Sequence, residues 1–229
     1  MAKRATGPST DARAKPSDHD VDQQIRRGVF ETYVDEAEDG VDDVLGRQVS
    51  PFIDEKTAMR GRCDAPIAIV EYIDFQCSYS ETAYPVVKRI MERYPEEVKL
   101  YLKHIPLSFH NFAEPASKYF EALAMQSSGM AWKFHDLLFE RRRLFLERGE
   151  AIFDSFGDAV GADRDRLAMD IISPLILSRI ERDQEEAALF GIPGPPSFSI
   201  NGVVLWGAHS AEVFQKVIDR LLADGNPQV

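Results

Sequence analysis

The run Pro66-Ile67-Ala68-Ile69-Val70-Glu71-Tyr72-Ile73-Asp74-Phe75 restricts the fold of this chain more than any other segment. Its apolar residues are nearly continuous rather than alternating. A strand of that kind is buried on both faces, as in the middle of a parallel sheet. Cys77 follows almost at once, and from Ser78 to about Tyr94 the apolar positions take helical spacing. Residues 97–103, EVKLYLK, alternate and read as a second strand. A strand–helix–strand order of this kind joins parallel neighbours by a right-handed crossover.

From about Phe112 to Phe190 the pattern is helical, punctuated by Gly129, Gly149, Gly157, Gly161 and Pro174. Strands then return. Phe198–Ile200 and Val203–Trp206 flank Asn201-Gly202, the strongest short hairpin signal. Ser210 caps a last helix whose stripe is Val213, Phe214, Val217, Ile218, Leu221 and Leu222. The expected fold is α/β: a mixed sheet of four to five strands, helices on both faces, and a helical subdomain inserted at about 109–189. Residues 1–19 read as a disordered tail and 20–59 as an N-terminal helix, begun at Asp20, with an acidic linker. The domain proper is expected over 60–229.

Charge narrows the function. The formal net charge is −11, where a nucleic-acid binder would show a basic footprint. Arg141-Arg142-Arg143 is the only basic run, and with Glu140 and Glu147 beside it, it reads as a solvated helix face. The seven acids between Glu31 and Asp43 fit no calcium loop and read as a solvated segment. No apolar stretch approaches the roughly 20 residues of a membrane span. Met1 to His19 lacks the apolar core of a signal peptide, which points to the cytoplasm, or to the periplasm if an export signal has been removed. No His/Cys spacing fits a metal site, and no Gly-rich loop suggests a phosphate. Trp132 and Trp206 read as core or groove-lining residues.

The only two cysteines, Cys63 and Cys77, lie at opposite ends of the first strand. Nine strand residues span roughly 30 Å at about 3.3 Å each, whereas disulfide-bonded Cα atoms lie within about 7 Å. The two thiols are therefore not expected to pair within one chain. Cys77 sits between a strand end and a helix start, the edge at which open α/β sheets place their sites. Backbone N–H groups and the helix dipole favour an anion there, and such settings lower a thiol pKa from about 8.5 to roughly 3.5–7.5. Cys77 is thus expected to be exposed, ionised and nucleophilic. Ser80 stands where a dithiol enzyme keeps its resolving cysteine; it can donate a hydrogen bond but cannot attack a mixed disulfide. Glu71 shares a strand face with Ile67, Ile69 and Ile73, so it is expected to be largely desolvated, with a salt bridge to Lys99 or Lys103 as the structural alternative. His104 and His110 flank the end of the second strand, where they could border the site, but they read as ordinary hydrogen-bonded histidines.

The segment DAPIAIVEYIDFQCSYS resembles the start of the DsbA-like branch of the thioredoxin superfamily, where an apolar strand leads into Phe-x-Cys-Pro-Tyr-Cys. Pro85 resembles the proline that kinks the first helix in that superfamily. GIPGPPSFSINGVVLWGA resembles the family's Gly-Thr-Pro-x-Phe-x-Ile-Asn-Gly segment, which makes Pro196 the counterpart of its cis-proline. HIPLSFHNFAEPASKYFEALA resembles the stretch leading into the family's helical insertion. The likeness covers roughly residues 60–224.

It implies a thioredoxin-like fold, with Cys77, Ser80 and Glu71 as the reacting set. It also implies a substrate surface of Ser78, Tyr79, Pro195 and Pro196, with Glu71 exchanging protons with the thiol. Three departures bear on the chemistry: Ser80 replaces the second cysteine, Ser78 replaces a common proline, and Pro195 replaces a Thr or Val. The last removes an N–H that would pair with a substrate backbone. The resulting expectation is a monothiol thiol–disulfide oxidoreductase, an isomerase or reductase working through a mixed disulfide or glutathione adduct. Its partner would be a disulfide- or thiol-bearing protein or glutathione. No cofactor is implied, though glutathione can serve as co-substrate. The competing readings are a glutathione transferase or isomerase resembling the kappa class, and a peptide-binding module without turnover.

Overall fold

In the computed structural model, which describes residues 48–225, the sheet strands are β1 (Met59–Gly61), β2 (Ile67–Ile73), β3 (Val98–His104), β4 (Ser197–Ile200) and β5 (Val203–Trp206). Helix α1 (Ser78–Arg93) joins β2 to β3. An inserted block runs through α2 (Ala113–Gln126), α3 (Ser128–Glu140), α4 (Arg142–Arg148), a 3-10 turn, α5 (Phe153–Ala159), α6 (Arg164–Asp170) and α7 (Pro174–Leu189). Helix α8 (Ala211–Ala223) ends the domain. The expected tail and the helix begun at Asp20 lie outside the described residues.

The sheet order is β1-β3-β2-β4-β5. β2 is central and fully buried, as its apolar run requires. It pairs parallel with β3, from Ile67 opposite Val98 to Ile73 opposite His104. On its other side it pairs antiparallel with β4. Asn201 (φ 44°) and Gly202 (φ 90°) turn β4 into β5. A Cβ at Gly202 would stand 2.8 Å from the Val49 carbonyl oxygen, so glycine serves both the turn and the close approach of the incoming chain.

The short edge strand β1, antiparallel to β3, has no periodic signal in the sequence and straddles the border placed at residue 60. Residues 48–58, read from the sequence as linker, are bonded into the domain. Gln48 bridges to Val203, the Phe52 N–H donates to Glu186, and Asp54 pairs with Arg179.

Strand alternation divides the core. Ile67, Ile69 and Ile73 face α1, α8 and the inserted helices, meeting Ala83, Val87, Ile90, Phe120, Phe214 and Ile218. Ala68, Val70, Tyr72 and Tyr101 face the opposite side, against Ala187 of α7 and Ile53. Helices therefore cover both faces of the sheet.

Candidate functional site

Helix α1 begins at the carboxyl end of β2, and Cys77 is its N-cap residue. The connection is held from beneath by Asp74, which is fully buried. Its Oδ1 accepts from the N–H groups of Gln76 (2.6 Å) and Cys77 (3.1 Å). Its Oδ2 accepts from the Leu107 N–H (2.8 Å) and meets His110 Nδ1 at 2.8 Å. This is an Asx-type turn, in which the side chain satisfies the N–H groups two and three residues on. From the other side Arg142 donates to the carbonyls of Phe75 (3.0 Å) and Gln76 (2.6 Å) and pairs with Glu81 at 2.7 Å. The sequence reading of Arg141-Arg142-Arg143 as a solvated face is corrected at its centre. Arg141 and Arg143 are exposed, but Arg142 is buried as a clamp on the loop before Cys77.

The loop from Gly194 to Ser197 closes over the same point. The Pro195–Pro196 peptide bond is cis. The Cys77 thiol donates to the Pro195 carbonyl oxygen at 3.5 Å. The Pro196 carbonyl accepts from the Gly207 N–H at 2.9 Å, and Ser197 Oγ donates to Gly194 at 2.8 Å. Of the residues singled out from the sequence, Cys77, Ser80, Pro195 and Pro196 are buried together at this end of the sheet. Ser78 is exposed and Tyr79 half-buried.

The expectation of an exposed, ionised sulfur is overturned. Cys77 is 6% exposed, and its pKa is raised from the ordinary thiol value rather than lowered. Burial is the largest cause, and the Asp74 carboxylate adds to it. The N–H groups of Ser80 and Tyr79 and the Ser80 hydroxyl favour the anion but are outweighed. A helix start does present donors to the sulfur, as expected. The expectation left out desolvation and a buried carboxylate capping the same turn. Ser80 is only 2% exposed and its buried Oγ forms no hydrogen bond of ordinary geometry, so the nearby sulfur is the group it can act on.

Glu71 is buried on the face shared with Ile69 and Ile73, but the salt bridge to Lys99 or Lys103 is not formed. The parallel register sets Glu71 opposite Leu102, and strand parity turns Lys99 and Lys103 to the other face. There Lys103 pairs with Asp183 (2.8 Å) and Glu186 (3.4 Å), while Lys99 donates to the Cys63 carbonyl. Glu71 instead meets His135 of α3, its Oε1 3.5 Å from Nε2. That is an ion-pair contact too long for a well-formed hydrogen bond. His135 Nδ1 lies 3.0 Å from Asp136, which is held by Arg60 at 2.7 Å. Burial works against the imidazolium, yet the Asp136 and Glu71 carboxylates outweigh it and hold the His135 pKa above its ordinary value.

His104 is an ordinary bonded histidine, 3.2 Å from Glu121, but His110 belongs to the site through Asp74. Sequence reasoning missed Asp74, Arg142, His135 and Asp136. Only Asp74 carried a signal, an aspartate three residues before the cysteine at a strand end. Both cysteines are free, and no cluster that could hold a metal occurs among the described residues. A cavity of about 250 Å³ lined by Val49, Pro51, Ile53, Val70 and Ser199 lies on the sheet face opposite Glu71 and does not include Cys77.

The model of a family described as DSBA-like thioredoxin domain matches residues 68–219. Among solved structures, the oxidised BdbD from Bacillus subtilis is similar with a TM-score of 0.67 at 17% identity, covering 77% of this chain and 98% of that one. The thiol–disulfide exchange protein alpha-DsbA2 from Wolbachia pipientis has a TM-score of 0.64 at 16% identity, covering 83% of this chain and 96% of that one. Among curated proteins, the Na(+)/H(+) antiporter NhaA of Herminiimonas arsenicoxydans is 31% identical over 176 residues, 77% of this chain and 27% of the antiporter. The chain spans about a quarter of the length of the curated relatives it matches. No described helix is long and apolar enough to cross a membrane.

Proposed function

The chain belongs to the DSBA-like thioredoxin domain family, and on that footing we propose that it performs thiol–disulfide exchange through Cys77 alone. The observation that carries this reading is the seating of Cys77 on the amino end of α1 against the Pro195 carbonyl, with Ser80 rather than a second thiol in the same turn. The Cys77 thiolate attacks a disulfide R–S–S–R′. A new S–S bond forms to R, and R′ leaves as a thiolate that takes up a proton. A thiol from outside the chain then attacks this mixed disulfide and releases either partner.

The raised pKa gives the exchange a direction. The lower-pKa thiol leaves faster, so Cys77 is a poor leaving group. Attack by an outside thiol at the Cys77 sulfur, expelling the substrate thiol, is then faster than expulsion of Cys77 itself. A mixed disulfide on Cys77 is then long-lived, which suits glutathione capture, and reduction or isomerisation would turn over at the rate at which an incoming thiol expels Cys77. Ionisation also needs a local adjustment, because a thiolate cannot remain against the Pro195 carbonyl oxygen. The buried Ser80 hydroxyl is placed to turn to it.

Intact-mass measurement after exposure to oxidised glutathione tests the proposal. Wild type and Cys63→Ser are expected to take up one glutathione at Cys77, and Cys77→Ser none at that site. Absence of any adduct at Cys77 across pH 6–9 would leave the second reading, a binding module without turnover. The deep burial of Cys77 and the missing N–H of Pro195 favour that alternative.

A further inference from the structure

His110 lies in the connection between β3 and α2, away from the β2–α1 connection that carries Cys77, yet a single buried carboxylate joins the two. Asp74 Oδ1 accepts from the Cys77 N–H at 3.1 Å and its Oδ2 meets His110 Nδ1 at 2.8 Å. Asp74 has no exposed surface, whereas the His110 side chain keeps 18% of its own. We infer that His110 is a positioning residue for Cys77, governing from the surface the charge that Asp74 presents to the sulfur. The inference deepens the proposed function and rests on Cys77 being the reacting group.

The physical argument is a charge count at one buried point. With a proton on both ring nitrogens, His110 neutralises Asp74, and the sulfur faces an ion pair of no net charge. With the ring neutral, Nδ1–H still donates to Asp74, so the geometry holds, but the sulfur faces an uncompensated carboxylate in a medium of low dielectric. The thiolate is disfavoured in the second state and tolerated in the first.

The His135–Glu71 pair, which meets Phe75 from α3, is the same in the parent and in a His110 variant and so cancels in a comparison of the two. The groups bonded to Asp74 and to the turn do not reproduce this dependence. The remaining partners of Asp74 are the backbone N–H groups of Gln76, Cys77 and Leu107, which do not titrate. Arg142 holds the carbonyls of Phe75 and Gln76 and is paired with Glu81; its charge is constant across the neutral range. The Phe109 ring stands edge-on to His110 at 4.7 Å and carries no charge. Among the described residues, His110 is therefore the one hydrogen-bonding partner of Asp74 with a titratable side chain.

The test reads thiol ionisation without requiring turnover, so it remains decisive even if the exchange activity is not found. In a Cys63→Ser background, the rate of Cys77 alkylation by iodoacetamide is measured against pH for the parent and for His110→Asn. The asparagine amide replaces the Nδ1–H donor and cannot carry a charge. The expected result is alkylation about tenfold slower in the variant on the acid side, the equivalent of about one pKa unit. The two profiles should converge on the alkaline side, where the parent ring is neutral as well. Superimposable profiles, or one constant offset at every pH, would overturn the inference, because a purely structural role acts at all pH values. If His110→Asn does not fold, the reciprocal measurement decides. Coupling between two sites is mutual, so the NMR titration of the His110 ring protons should lie at higher pH in Cys77→Asp, which sets a carboxylate where the thiolate would form, than in Cys77→Ser. Coincident curves would overturn the inference equally.

Discussion

The Cys77 sulfur lies 3.5 Å from the carbonyl oxygen of Pro195, residues 118 positions apart that β2, α1 and the loop before β4 bring together. The contact uses the one hydrogen-bonding group Pro195 has, since its nitrogen carries no hydrogen. A substrate backbone that would pair with this residue finds no donor. Pro195→Thr restores the N–H and is expected to tighten binding of an extended peptide by about 1 kcal/mol, roughly fivefold, as measured by calorimetric titration. Unchanged affinity would place peptide recognition elsewhere on the surface.

Ser80 is one helical turn from Cys77 and buried with it. Ser80→Cys supplies the missing thiol, and the variant is expected to close a disulfide between Cys77 and the introduced sulfur on mild oxidation. Free-thiol titration should then fall by two relative to the reduced form. Failure to close would mean that the loop held by Asp74 and Arg142 cannot adjust to the bond.

Arg142 donates to two backbone carbonyls in the turn that presents Cys77. Arg142→Met keeps most of the stem and removes the donors. Because hydrogen bonds to charged groups contribute about 1.5–3 kcal/mol each, loss of the two is expected to cost about 3–6 kcal/mol in urea unfolding. Faster amide exchange at Gln76 and Cys77 should accompany the loss.

The pH dependence of stability follows from two groups with raised pKa values. His135 gains carboxylate partners on folding, so the folded protein holds its proton more tightly than the unfolded chain. That stabilisation is complete below the unfolded value near 6.5 and disappears as pH rises through the folded value. Replacing His135 with Gln should remove the corresponding slope above pH 6.5. It should also cost about 3–5 kcal/mol at pH 6, because Glu71 loses its buried partner. Urea unfolding of both proteins between pH 6 and 8.5 measures slope and offset together.

Cys77 behaves in the same sense at higher pH. Its thiol is favoured in the folded state, so the associated stability is present below the ordinary thiol value of 9.0 and is lost as pH rises through the folded value. Cys77→Ala should therefore lose less stability than wild type between pH 9 and 10.5. Parallel curves would indicate that the sulfur is no harder to ionise in the fold than in the open chain.

Much of the fold was legible in the linear chain. The unbroken apolar run through Ile67–Ile73, the helix after Cys77, the Asn201-Gly202 hairpin and the stripe of α8 are all local patterns with local causes. Strand parity likewise set Glu71 on the face of Ile69 and Ile73. The same parity argued against Lys99 and Lys103 as its partners once the parallel register was known. The edge strand β1 was not legible, because three residues carry no period.

The site divided along the same line. By itself the sequence determined the strand–helix–strand unit, the hairpin, the position of Cys77 at a helix start and the absence of a second thiol beside it, since each depends on residues near one another in the chain. The ionisation of that thiol was decided by the tertiary structure alone. The clamp of Arg142, the lid of Pro195 and the ring of His110, which reaches the turn through Asp74, converge on Cys77 from three separate segments. Desolvation and electrostatic fields depend on distance through space, and the order of residues along a chain does not record that distance.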